Sequence, residues 1–269
     1  MTTTGNRYTH GHHESVLRSH RWRTAENSAA YLLPHLSAGS TLLDVGCGPG
    51  TLTVDLAGRL TPGQVTAVEP TEGALALARA EATRQGTGNL DFSVADVHEL
   101  PFADGSFDVV HAHQVLQHLP DPVGALREMR RVCRPGGVLA ARDSDYAAFT
   151  GVPAVPALDE WLTLYQWAAR TNGGEPDAGR RLLSWARAAG FTDVTATASV
   201  WCFATPTDRQ WWGGMWADRI LRSDLARQLL ASGRATRADL ERISAGWRQW
   251  AAADDGWFAI PHGEIICRV

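Results

Sequence analysis

Leu42-Leu43-Asp44-Val45-Gly46-Cys47-Gly48-Pro49-Gly50 is the stretch on which the fold turns. With Thr41 before it, the first half is a short apolar run of strand length that stops at clustered glycines, and it reads as a buried strand. Thr51 to Leu60 then reads as a helix. Strand, glycine turn and helix in that order put free helical N–H groups and a backbone without Cβ beyond the carboxyl end of a strand, where open α/β sheets bind ligands.

Outward from this unit the alternation continues. Strands are expected over Gln64–Val68, Leu90–Ala95, Phe107–Ala112 and Val138–Ala141. Thr71–Gln85 reads as an alanine-rich helix, and Asp121-Pro122 opens another that runs to about Cys133. Arg134-Pro135-Gly136-Gly137 reads as a turn. Such alternation specifies a parallel sheet with right-handed crossovers. Upstream, Glu14 to Leu36 has helical spacing. Downstream, Leu158–Ala169 and Gly179–Ala189 read as helices, Val194–Phe203 as a strand, 207–252 as helical, and Trp257–Val269 as a last strand that Pro261-His262-Gly263 would interrupt. The expected architecture is one α/β domain over 1–269, Rossmann-like and doubly wound, with a mostly parallel seven-stranded sheet and helices on both faces. An N-terminal helical cap (1–38) precedes a cofactor-binding core (39–146). Residues 147–269 then complete the sheet around a Trp-rich helical insertion, at about 204–256, before the last strand.

Composition excludes some classes of function. The 269 residues carry a net charge of -4, without the basic stripe that nucleic acid demands. No apolar run approaches the roughly 20 residues that span a bilayer. The opening MTTTGNRYTHGHHE lacks the apolar core of a secretory signal. Cys47, Cys133, Cys202 and Cys267 are far apart in sequence, which suggests neither a metal pair nor a disulfide framework, so a reducing cytoplasm is the expected setting. Ten of the eleven tryptophans lie between Trp161 and Trp257, which separates a conventional first half from an aromatic-rich second half.

The glycine cluster gains specificity from two acids. Glu69 ends the second strand roughly 20 residues on, where a carboxylate accepts the two hydrogen bonds of a ribose diol. Asp96 ends the third, where a carboxylate accepts from an exocyclic adenine amine. A dinucleotide is the competing ligand, but its GxGxxG fingerprint fails here because Thr51 occupies the sixth position. Asp44 before the turn suits a cation and repels a pyrophosphate.

Leu42–Gly50, Glu69, Ala95-Asp96, and Phe107-Asp108-Val109-Val110 through His118-Leu119-Pro120-Asp121 resemble the ordered motifs of class I S-adenosylmethionine-dependent methyltransferases. The likeness is to the ubiquinone/menaquinone-biosynthesis (methyltransferase type 11) group, of which Arg134-Pro135-Gly136-Gly137 is a further mark, and it covers about residues 38 to 143. It implies S-adenosyl-L-methionine as cofactor. Gly46, Gly48 and Gly50 would line it, Asp44 would lie near its amino group, Glu69 and the adjoining Pro70 near the ribose, Asp96 at adenine N6 and the Val97 backbone at N1. The His113 carbonyl would meet the methionine amine. The group methylates carbon, oxygen and nitrogen, so the resemblance leaves the substrate open.

Methyl transfer requires alignment above all, and a base only where the nucleophile holds a proton of high pKa. Candidates near the methyl group are His12, His13 and Tyr8 in the N-terminal run, His118 after the fourth strand, and Asp143 at the exit of the fifth. The His12-His13 run matches no familiar closed zinc set, and no metal is expected. Arg23 would pair with the cofactor carboxylate. The tryptophans read mainly as core, some as lining for an apolar or aromatic pocket, and least of all as a cage for a cation. The expected activity is methylation of a small molecule by a monomer or homodimer, oxygen being favoured over carbon or nitrogen. The alternative is a cofactor-binding partner subunit without transfer activity.

Overall fold

Eight strands, where seven were expected, make the sheet in the structure, a computed structural model that describes residues 14–269. They are β1 (Leu42–Val45), β2 (Val65–Glu69), β3 (Leu90–Val94), β4 (Phe107–His113), β5 (Cys133–Ser144), β6 (Thr150–Val152), β7 (Asp193–Phe203) and β8 (Trp257–Arg268). The helices are α1 (Glu14–Arg21), α2 (Ala25–Ser28), α3 (Thr51–Leu60), α4 (Glu72–Gln85), α5 (Pro122–Val132), α6 (Pro156–Thr171), α7 (Leu182–Ala188), α8 (Pro206–Arg222), α9 (Asp224–Ala231) and α10 (Arg237–Ala252).

The sheet runs β3-β2-β1-β4-β5-β8, with β1 to β5 parallel and β8 antiparallel to β5. β7 pairs with β8 along its whole length, and the unexpected β6 pairs with residues 257–259 of β8. β6 is only three residues long and follows a tight turn at Tyr146–Ala148, so no periodicity announces it. β8 passes unbroken through Pro261-His262-Gly263 because β5 and β7 hold it on both sides. The expected turn at Arg134–Gly137 lies within β5 and opens its ladder: Cys133 pairs with Phe107, Val138 with Val109, and the residues between bulge opposite Asp108.

Strand alternation divides the core. Leu43, Val45, Val110, Ala112, Leu139 and Ala141 pack with α5 and α7 on one face. Leu42, Val109, Val138 and Ala140 pack with α2 and α3 on the other. A third, aromatic core gathers α6, α8, α9 and α10 over the β7–β8 end of the sheet. Strand order reverses between β1, from which the chain moves outward to β2 and β3, and β4, from which it moves the other way to β5. That switch point opens a crevice beyond the carboxyl ends of the strands.

Gly50 shapes this region by packing. It is the N-cap residue of α3, at φ +81°, and a Cβ there would fall 2.8 Å from Ala78 Cβ on α4. Gly50→Ala is expected to cost about 2–4 kcal/mol, combining left-handed strain with overpacking. Gly58, mid-α3, has nothing within 4 Å of such a Cβ. Gly58→Ala is expected to stabilise by about 0.5–1 kcal/mol through helix propensity and unfolded-state entropy. Urea midpoints of the two variants should therefore move in opposite directions.

Candidate active site

The crevice widens into a cavity of about 430 Å³. At one end the chain leaves β1 through Gly46 (φ +72°) and Gly48 (φ +55°). A Cβ on Gly46 would meet Val115 Cγ2 at 2.4 Å, and one on Gly48 would only touch the His20 ring at 3.4 Å. Both positions thus need glycine for backbone conformation, and Gly46 for close approach as well. Glu69 leaves β2 into the same wall, where its Oε1 accepts the Gly48 N–H at 2.7 Å. Burial pushes its carboxyl up to about 7; the Gly48 bond opposes this and nearby Asp44 adds to it. Asp96 is further out, its side chain 70% exposed, with Oδ1 accepting from the His98 backbone at 2.9 Å. That bond, against partial burial and with help from the His98 ring, holds its carboxyl low.

The other end is built by β4, β5, β7 and the helical cover. Gln114 follows β4 at φ 55°, an unusual conformation outside glycine. Its Nε2 donates to Ser144 Oγ at 2.8 Å and lies 2.9 Å from His262 Nε2, and its Oε1 accepts from Arg23. Tyr146, Phe149, Trp201, Trp212 and Trp216 form the walls. Trp201 is fixed from behind: its Nε1 donates to the Asn27 carbonyl at 2.5 Å, and the buried Arg142 guanidinium lies 4.8 Å from its ring. Arg142 is itself held by Glu264 across the β5–β8 pair, at 3.2 Å. His113 and His118 line the cavity between the two ends. Burial, reinforced by the charge of Arg23, drives His113 well below the usual histidine range and His118 down to about 4, so both rings are neutral at pH 7.

The cavity brings together Arg23, Gly46, Gly48, Glu69, Pro70, Asp96, Val97, His113 and His118 of the residues the sequence pointed to. Three others stand apart from it. Asp44 is buried behind β1, its two oxygens engaged by Thr53 Oγ1 at 2.6 Å and His111 Nδ1 at 2.8 Å. Gly50 serves the α3–α4 contact. Asp143 follows strand alternation to the α5 face, where its Oδ1 accepts the Gln117 N–H at 3.1 Å; its neighbour Ser144 takes the cavity side. Burial pushes the Asp143 carboxyl up to about 7, against bonds from the Gln117 and Leu116 backbone. Tyr8, His12 and His13 lie outside the described residues. Arg23 engages the Gln114 amide rather than standing alone for a carboxylate. Arg219, Phe149 and His98 line the cavity without having been singled out. Arg219 had no local signal, because it is one arginine among many in an amphipathic stretch, and only the fold of α8 over the sheet brings it inward.

The donor set fits a sulfonium nucleoside. Two carboxylates and a glycine cradle share one wall, which suits a diol and an amine, and the Asp44 carboxylate beneath the glycines is paired with His111. Among the described residues no group of three His, Cys, Asp or Glu is placed to hold a metal ion, and no helix is long and apolar enough to cross a membrane.

Comparison with known proteins agrees with this geometry. Residues 43–141 match the family described as a methyltransferase domain. An uncharacterized methyltransferase of Schizosaccharomyces pombe is 34% identical, over 96% of this chain and 95% of its own. The 27-O-demethylrifamycin SV methyltransferase of Amycolatopsis mediterranei is 35% identical over 59% of this chain and 62% of its own. Among solved structures, a Haemonchus contortus phosphoethanolamine N-methyltransferase in complex with S-adenosylhomocysteine superposes with a TM-score of 0.57 at 18% identity, covering 90% of this chain and 52% of that one. This last likeness is one of fold.

Proposed function

The chain belongs to the S-adenosylmethionine-dependent methyltransferases, and on that premise we propose that it methylates a small-molecule acceptor, at oxygen, within the crevice at the β1–β4 switch point. One observation carries the reading: Glu69 and Asp96 share a single cavity with the aromatic side chains of the helical cover. Support for oxygen comes from the polar groups that Gln114 and Ser144 present beside those aromatics, and from the O-demethylated substrate in the Amycolatopsis relative's name. A soluble cytoplasmic monomer or homodimer without nucleic-acid partners fits the net charge of -4 and four free cysteines.

S-adenosylmethionine supplies a methyl group on a sulfonium, to which the acceptor's lone pair bonds as the carbon–sulfur bond breaks and its electrons stay on sulfur. The protein's task is placement, which can be worth about 7–11 kcal/mol in such a displacement. Glu69 would accept from the ribose hydroxyls, Asp96 from the adenine amine with the Val97 backbone beside it, and Gly46 and Gly48 would let main chain approach the amino-acid portion. Asp44 would act at a distance, by orienting His111 and α3. Trp201, Trp212 and Trp216 would exclude water from the acceptor.

Isothermal titration tests the first half of this reading, and S-adenosylhomocysteine is expected to bind with a one-to-one stoichiometry. Labelled methyl transfer to small-molecule extracts of the host tests the second. Absence of nucleoside binding sinks the reading. Binding with no transfer to any extract marks instead the partner-subunit alternative.

A further inference from the structure

The acceptor half of the cavity carries two guanidinium groups among its aromatic walls. Arg219, from α8, is 3% exposed and lies 4.5 Å over the Trp216 ring, with Nη2 donating to Ser19 Oγ at 2.8 Å. Arg23, from the link between α1 and α2, donates to the Gln114 amide oxygen. Both line the cavity. A cationic acceptor would need the open aromatic faces of a cage, but arginine already occupies the face of Trp216, and two fixed positive charges repel a third. The carboxylates lining the cavity among the described residues are Glu69 and Asp96, and both are at the glycine-rich end. Asp143 does not line the cavity: it is buried behind Gln117, whose N–H it accepts, and it feels the charges of Arg142 and Arg23 from there. Two further groups in this half await hydrogen bonds: the indole N–H of Trp212 and the two ring nitrogens of His113, all buried and unpartnered among the described residues.

We propose that the acceptor is an acidic hydroxyl on a planar ring, a phenol or an enol, bound as its oxyanion within the reach of Arg23 and Arg219, so that the two guanidinium groups rather than a side-chain base generate the nucleophile. This deepens the methyltransferase reading above and rests on it. The hydroxyl proton passes to solvent on binding. The oxyanion's electron pair then forms the new oxygen–carbon bond, while the electrons of the broken carbon–sulfur bond remain on sulfur. Aliphatic alcohols would stay protonated there, and amines would be excluded by charge.

The histidines agree with this division of labour. A ring held at about 4, as His118 is, makes a poor base for a phenol, and burial holds His113 well below the usual histidine range too. Tyr146 shows the field directly: burial raises its own phenol, while a bond from Tyr165 and the charges of Arg219 and Arg23 pull it back down. A ligand phenol among the same walls feels the same two charges.

The test uses 4-nitrophenol and ring-substituted nitrophenols, whose anions are coloured, titrated against the full-length protein saturated with S-adenosylhomocysteine. The bound probe is expected to ionise about one pH unit below the free one, as an opposite charge within roughly 4–6 Å dictates. Nitrobenzene, the same ring without the hydroxyl, is expected to bind at least tenfold more weakly. Arg219→Met should remove about half of the ionisation shift and Arg219→Lys should keep it. If Arg219→Met does not fold, Arg23→Gln, nearer the surface of the cap, gives the same readout. An unshifted or raised ionisation of the bound probe overturns the inference. So does nitrobenzene binding as tightly as the phenols, or failure of every nitrophenol to bind protein that holds S-adenosylhomocysteine. In each of these cases the methyltransferase reading survives. Failure to hold the nucleoside removes both.

Discussion

Trp247→Ala is expected to destabilise the protein by about 3–5 kcal/mol, a large share of the 5–15 kcal/mol typical of a whole domain. Trp247 is fully buried at the centre of the aromatic core, with ring centroids 4.9 Å from Trp161, 5.3 Å from Phe258, 5.8 Å from Trp250 and 6.1 Å from Trp216. Four large rings cannot collapse together into the void that alanine leaves, so the cavity term adds nearly in full to the lost transfer energy. Trp247→Phe is the informative control. The Trp247 indole N–H is buried and has no partner among the described residues, and an unmade bond of this kind costs about 1–3 kcal/mol. Phenylalanine removes that burden while keeping an aromatic ring, so it should cost under about 2 kcal/mol despite its smaller volume. Urea unfolding at constant slope measures both, and an alanine variant within 1 kcal/mol of the parent would show that the cover is loosely packed. The consequence reaches function as well, because Trp216 stacks on Trp247 with one part and lines the acceptor half with another.

Legibility in the sequence followed the range of the interactions. β1, its glycine turn and α3 were readable because the signal is local: an apolar run, left-handed glycines and a helix succeed one another within twenty residues. Glu69 and Asp96 were readable for the same reason, the first being the last residue of β2 and the second the first acid after β3. β6 was not, being three residues whose pairing depends on where β8 returns more than a hundred residues later. Asp143 shows the same limit more sharply. It was expected at the exit of the fifth strand, whereas β5 runs on to Ser144; which face Asp143 takes depends on strand parity, and a single residue of register separates it from the cavity that Ser144 lines. Asp44 failed in another way: its charge was visible, but Thr53 and His111, which consume both its oxygens, come from α3 and β4. The acceptor half was least legible of all. Trp201, Trp212, Trp216 and Arg219 converge there only through the crossing of α8 over β7, and composition reports that tryptophans are plentiful without saying which of them face inward.

Glu69→Ala is expected to weaken S-adenosylhomocysteine binding roughly hundredfold. Two hydrogen bonds to a charged acceptor contribute about 1.5–3 kcal/mol each, offset in part by relief of the buried carboxylate, and the remaining ~3 kcal/mol is two decades in Kd. The alanine also removes the acceptor that steadies the Gly48 N–H, loosening the glycine turn. Glu69→Gln keeps one acceptor and should lose only about tenfold. The pH dependence follows from the same carboxyl. Its folded value, raised from 4.5 to about 7, means that the folded protein holds a proton that the unfolded chain has released, so this group's contribution to stability falls as pH rises from 4.5 to 7 and is unfavourable above. Binding runs the other way. The carboxylate accepts from both ribose hydroxyls and its protonated form from only one, so affinity should drop about tenfold between pH 8 and pH 6, with a proton released on binding at the lower pH. Asp96 is held low and stays ionised across this window. His98 beside it is shifted upward, its bonds to Asp96 and the Asp121 carbonyl outweighing burial. Glu69→Gln therefore isolates Glu69: if it is the titrating group, the glutamine variant binds with a flat profile from pH 6 to 8, whereas a slope that survives the substitution assigns the titration to another group, His98 beside Asp96 or Asp143 behind Gln117, and takes the ribose away from Glu69.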